Sequence, residues 1–87
     1  MEQGWYIDGE RASASEARRV LRGAAGRTWA PSDELERMRD ELRADGYTDA
    51  DGVAVEFVAP DASWDERGEL VELVTTLDAG PELRALA

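Results

Sequence analysis

The clearest pattern in the chain is the run Val-Ala-Val-Glu-Phe-Val at residues 53–58. At the two-residue period of a strand, Val53, Val55 and Phe57 fall on one side and Ala54, Glu56 and Val58 on the other. Asp49, Asp51 and Gly52 supply turn chemistry before the run and Pro60-Asp61 closes it. The pattern predicts a core strand with Phe57 at the centre of its apolar face. Gly4-Trp5-Tyr6-Ile7 reads as a second strand running into an Asp8-Gly9 turn, and two strands this short are expected to pair with each other.

Helical periodicity appears between the two strands. Ser13-Ala14-Ser15-Glu16 is a capping box that opens a first helix. Ala14, Ala17, Val20, Leu21 and Ala24 share one face of it and Arg18, Arg19 and Arg22 the other, with Gly23 or Gly26 as a left-handed stop. Thr28-Trp29-Ala30-Pro31 is a linker with an aromatic anchor. Ser32, followed by Asp33 and Glu34, predicts a second helix start, with Leu35, Met38 and Leu42 as its buried stripe. Ion pairs are expected from Asp33 to Arg37 and from Asp40 to Arg43. Gly46 ends this helix, and Tyr47 folds back on Leu42 as the contact of a Schellman motif.

Residues 69–78 support two readings. Leu70, Leu73, Val74 and Leu77 fall on one helical face, Ser63 to Glu66 is a second capping box, and Gly80-Pro81 is a stop. Against a helix, Gly68 lies inside it, and Val71, Val74, Thr75 and Thr76 are β-branched, as in a further strand. Both readings give the same class: a single α+β domain over residues 1–87, with a two- or three-stranded antiparallel sheet covered by two or three helices. The order is β-α-α-β followed by a strand or a helix, with residues 81–87 as a short tail.

Composition narrows the function classes. A chain of 87 residues holds one small core. It has no cysteine, which excludes a disulfide framework and a thiolate metal site. Residues 1–5 lack a basic and an apolar leader region, and no apolar run has the length of a membrane span, so the expected setting is the cytoplasm with no membrane contact. All ten basic residues are arginine, a usage that suits a GC-rich bacterial, archaeal or phage genome.

With neither cysteine nor histidine nor lysine, nucleophilic and Schiff-base catalysis have no candidates beyond hydroxyls and carboxylates. Asp49-Ala50-Asp51-Gly52 has the look of a calcium loop, but Tyr47 and Val58 stand where ligands belong, and the loop reads as a turn. Asp65 with Glu66, or Glu69 with Glu72, is the acid pair a small carboxylate hydrolase would use, although a domain this size rarely builds the cleft. The expectation is a protein that is not an enzyme and uses no cofactor.

The net charge is -10, and it is uneven. Residues 1–43 carry eight arginines against nine acids, whereas residues 44–87 carry two against eleven. Arg11, Arg18, Arg19, Arg22 and Arg27 make the one basic surface, but a pI near 4.3 opposes direct nucleic-acid binding and makes it a partner for the acidic half. The candidate partner-binding residues are Asp45, Asp49, Asp51, Asp61, Trp64, Asp65, Glu66, Glu69 and Glu72. Their field steers basic partners, or simply keeps the protein soluble. Trp5, Trp29 and Trp64 exceed what so small a core needs, so a tryptophan standing in solvent beside acids is the mark of an interface.

In size, acidity and α+β composition the chain resembles the small phage or mobile-element proteins that inhibit bacterial nucleic-acid machinery. Anti-CRISPR proteins are among them, some presenting a DNA-like acidic surface. The resemblance is one of class, without a shared motif, and assigns no residue roles. It implies an inhibitor that occupies the basic, nucleic-acid-binding surface of a larger partner. The rival reading from the charge map is a self-associating accessory protein, a weak homodimer in which the arginine-rich helix of one copy meets the acidic half of another.

Overall fold

Strand β4 (Ala54–Val58) lies inside a four-stranded antiparallel sheet of order β2-β1-β4-β3, formed with β1 (Gly4–Ile7), β2 (Glu10–Ala12) and β3 (Tyr47–Thr48). Three helices complete the computed structural model, which describes residues 2–76: α1 (Ala14–Ala25), α2 (Pro31–Ala44) and α3 (Trp64–Thr75). The element order is β-β-α-α-β-β-α, an α+β domain. The expected stop at Gly80-Pro81 and the tail at 81–87 lie outside the described residues, as do Leu77, Asp78 and Glu82.

The strand register follows the sequence pattern. Trp5 stands opposite Phe57 and Ile7 opposite Val55 on β1 and β4. The Trp5 and Phe57 rings meet at a centroid distance of 4.7 Å. They share one core with Ala17, Leu21 and Ala24 of α1, with Leu35, Met38 and Leu42 of α2, and with Val71 and Val74 of α3. Tyr6 and Glu56 face each other on the opposite side of the sheet. There the Arg11 guanidinium covers the Tyr6 ring at 5.9 Å and pairs with Glu2 at 2.9 Å.

The sheet has four strands where two or three were expected, because both turns return a strand. Asp8 and Gly9 adopt φ of 52° and 83°, the positive pair of a type I′ hairpin turn whose twist matches the flanking strands. The Asp8 carboxylate accepts the Ala54 N–H at 2.9 Å and so ties this hairpin to β4. Between β3 and β4, the Asp49 carboxylate accepts the N–H groups of Asp51 and Val53, both at 2.9 Å, and closes a second turn.

The capping box of α1 forms as expected, with Ser13 and Glu16 each accepting from the other's backbone. The stop differs: Gly26 is right-handed, with φ -66°, and the chain leaves through N–H bonds from Arg27 to Ala24 and from Thr28 to Ala25. In α2 the expected Ser32 cap is replaced by Pro31 at the first helical position, with Ala30 before it and no side-chain cap. Proline needs no N–H partner there and arrives with helical φ. Arg37 pairs with Glu34 and Glu41 on its own face rather than with Asp33. Arg43 turns away from Asp40 toward α3.

Residues 64–75 are a helix, capped by the Ser63 hydroxyl, which accepts the Glu66 N–H at 3.1 Å. Its buried side is only partly the expected one: Val74 is buried as expected, with Val71 and Thr75 beside it, while Leu70 and Leu73 face solvent. Arg67 explains the rotation. It shares the inner face with those residues and donates to the carbonyls of Leu42 (3.4 Å), Arg43 (3.2 Å), Phe57 (3.2 Å) and Ala59 (3.4 Å). The first two are orphan acceptors at the C-terminus of α2. A Schellman motif would have used them, but the N–H groups of Asp45 and Gly46 both donate to Glu41 instead. Tyr47 still packs in the same core as Leu42.

Phe57→Ala removes the largest side chain on the inner face of β4 and is expected to cost about 3 to 5 kcal/mol in chemical denaturation. Glu56→Ala, on the other face, should stay within about 0.5 kcal/mol. Equal losses would contradict the register. Arg67→Ala should cost about 2 to 3 kcal/mol, with little recovery in Arg67→Lys, because a single ammonium cannot reach four carbonyls spread over two elements.

Candidate acidic interface

Helices α2 and α3 pack against each other and leave a groove of about 510 Å3 between them, rimmed by the carboxylates of Glu36, Asp40, Asp65, Glu69 and Glu72. All five residues are exposed. On α2, Glu36 and Asp40 are one turn apart, as are Arg39 and Arg43; on α3, Asp65, Glu69 and Glu72 recur at helical spacing along one face. Asp65 and Glu66 sit in the first turn of α3, where the positive end of the helix dipole favours acids.

The two arginines of the groove are directed at the scaffold. Arg39 donates to the buried Thr75 hydroxyl at 2.8 Å, and that hydroxyl donates in turn to the Val71 carbonyl at 2.8 Å. Arg43 donates to the Trp64 carbonyl at 2.9 Å, reaches Asp65 at 3.4 Å, and places its Cζ 4.2 Å from the centroid of the Trp64 ring. Gly68 makes this possible, since a Cβ there would stand 2.7 Å from the Arg43 Cζ. The glycine that counted against a helix is the space that seats Arg43.

Of the residues named from sequence, Trp64, Asp65, Glu69 and Glu72 come together on this face, with Glu66 exposed beside them. Asp45, Asp51 and Asp61 are exposed but do not line the groove. Asp49 is buried, its carboxylate occupied by the turn it closes and by Arg27 at 3.5 Å, so it is withdrawn as a contact residue. Glu36 and Asp40 were missed because the acidity was assigned to the second half of the chain; their spacing on the outer face of α2 was the available signal. Trp29, read as an anchor, is fully exposed, and Trp64 is 59% exposed, whereas Trp5 is core.

The basic surface is likewise redistributed. Arg18 donates to the carbonyls of Val74 (3.3 Å) and Leu73 (3.4 Å) at the end of α3. Arg27 pairs with Asp49 and Asp51, and Arg11 lies on the outer face of the sheet. Among the described residues, no group of three or more acids is arranged to hold a metal ion, and no helix is long and apolar enough to cross a membrane. The chain matches no protein-family model, no curated protein and no solved structure.

A second polar cluster lies at the other side of α2, where the Tyr47 hydroxyl donates to Glu34 at 3.1 Å and Arg37 stands over the Tyr47 ring at 5.3 Å. The Arg37 hydrogen bonds hold the Glu34 carboxyl below its ordinary range, against burial and with help from the tyrosine. Burial, and then the bond to that carboxylate, push Tyr47 up to about 12. Because the folded value lies above the ordinary one near 10, the folded state holds its full advantage below about pH 10. It loses on the order of 2 kcal/mol as pH rises through about 12. No lysine or cysteine titrates in that window. Urea melts across this range should show a steeper decline in the parent than in Tyr47→Phe; identical slopes would remove Tyr47 as the cause.

Proposed function

We propose that the protein is a non-enzymatic binding protein whose acidic α2–α3 face occupies the basic, nucleic-acid-binding surface of a larger protein and inhibits it. The observation that carries this reading is the groove rimmed by five exposed carboxylates, of which only Asp65 is paired with a groove arginine, Arg43, while Arg39 and the Arg43 Nε are turned to hydroxyl and backbone acceptors. The acids therefore present most of their lone pairs outward, where a partner's arginines meet them with charge-assisted bonds. The net charge of -10 adds long-range steering toward a basic surface. Trp64, exposed at the mouth of the groove with Arg43 on its ring, is the aromatic element that such an interface uses.

The self-association reading draws less support. It needs the α1 arginines as a docking face, and Arg18 is engaged with the carbonyls at the end of α3.

The test uses the 87-residue chain as bait in lysate of a bacterial host. Recovered proteins are identified by mass spectrometry, and their complexes are then challenged with duplex DNA. The DNA should release the partner. A variant carrying Glu36→Gln, Asp40→Asn, Glu69→Gln and Glu72→Gln should associate at least about tenfold more slowly at low salt, since exposed interface charges act on the on-rate. Asp65 and Glu66 are left in place because they stabilise the start of α3. An unchanged association rate, or a complex indifferent to DNA, would refute the reading.

A further inference from the structure

Leu70 and Leu73 are 38% and 63% exposed, while Thr75 on the same helix is completely buried. Single exposed leucines are ordinary, but two at i,i+3 spacing on the outer face of a helix form a ridge of the kind that helix-in-groove recognition uses. Beside it, Leu73 forms a shallow hollow of about 290 Å3 with Glu69, Glu72 and Thr76. Its chemistry is mixed, an aliphatic wall from Leu73 next to two carboxylates, and no arginine is among its described lining residues. The adjoining groove, by contrast, contains Arg39 and Arg43.

An arginine side chain has the matching chemistry. Its methylene stem lies along apolar surface while its guanidinium engages carboxylates at the edge. We propose that the Leu70–Leu73 ridge, with Glu69 and Glu72, docks an arginine-bearing amphipathic helix of the partner protein, whose apolar stripe covers the two leucines. The proposal rests on the acidic-interface reading and deepens it: the recognised element is an amphipathic basic helix rather than a uniformly polar basic groove. Charge complementarity selects this occupant. A nucleic-acid strand would bring phosphates to carboxylates, and a second copy of the same face would set glutamates against glutamates.

The test titrates the full chain with two fluorescein-labelled helical peptides of equal positive charge. One has a leucine stripe flanked by arginines, and the other has glutamine in place of each leucine. The leucine peptide should bind about tenfold tighter, a gain that buried aliphatic surface supplies. It should shift amide resonances along the outer face of α3. Leu70→Gln with Leu73→Gln should abolish the preference without changing the thermal midpoint, and Glu69→Gln with Glu72→Gln should weaken both peptides and flatten their salt dependence.

If both peptides bind equally and only the glutamate variant weakens them, the ridge is overturned and the acidic reading stands. If neither peptide binds, both fall. A sedimentation dimer dissolved by the leucine variant would assign the ridge to a second copy. Nuclear Overhauser contacts from the Leu70 and Leu73 methyls to residues 77–87 in the free chain would assign it to the chain's own C-terminal residues. Either result overturns the proposal.

Discussion

The Arg67 guanidinium, held between the end of α2 and the end of β4, is the constraint on which the arrangement of α3 depends. A helix C-terminus leaves carbonyls without intrahelical donors and carries the negative end of the dipole. In α2 the backbone does not take up this need, because the N–H groups of Asp45 and Gly46 converge on Glu41 and leave the Leu42 and Arg43 carbonyls open. Arg67 fills them, along with those of Phe57 and Ala59. Its stem places the guanidinium 5.6 Å from the Phe57 ring. A planar fork of donors suits four acceptors on two elements in a way that no apolar residue does.

The rotation of α3 follows from that anchor. With Arg67 inward, the positions four, seven and eight residues on are Val71, Val74 and Thr75, and these are the residues that are buried. Arg39 reinforces the choice from the α2 side by bonding the Thr75 hydroxyl. A buried hydroxyl is tolerated only when its bonds are made, and this one both accepts and donates. The same rotation moves Leu73 to the outer face and brings Asp65, Glu69 and Glu72 round to the acids of α2. The acidic rim and the leucine ridge are thus two consequences of one half-buried polar contact.

This explains which features were legible in the sequence. Where apolar pattern alone decides, the reading holds: the Val55 and Phe57 face of β4, the Leu35, Met38 and Leu42 stripe of α2 and the Ser13 capping box are all where the periodicity puts them. On α3 the heavier leucines outvote Val71 and Thr75 in any hydrophobic count, and nothing local reveals that Arg67 has four carbonyls to satisfy, the nearest of them eight residues away in the chain. The Arg43 seat is of the same kind. Gly68 looks like a helix breaker until the guanidinium that occupies its missing Cβ position is in view. Half of the candidate interface was legible because charge on a helix face can be read by spacing. Its α2 half was not, because dividing the chain at residue 43 concealed that Glu36 and Asp40 meet Glu69 and Glu72 across a helix packing.

The distribution of arginine gives the interface its character. Arg18, Arg39, Arg43 and Arg67 all direct donors to carbonyl or hydroxyl oxygens that join one element to another. The ion pairs engage other carboxylates, those of Glu2, Glu34, Glu41, Asp49, Asp51 and Asp65, so the charge of Glu36, Asp40, Glu69 and Glu72 is not cancelled by a described arginine. Among exposed residues an intramolecular pair adds little stability in any case, and Glu69 and Glu72, which have no such pair among the described residues, cost the fold correspondingly little. The self-repulsion of so acidic a surface is felt most where acids share a face. Packing α2 against α3 concentrates them there, so the basic partner proposed for this face would, on docking, relieve a repulsion the free protein carries.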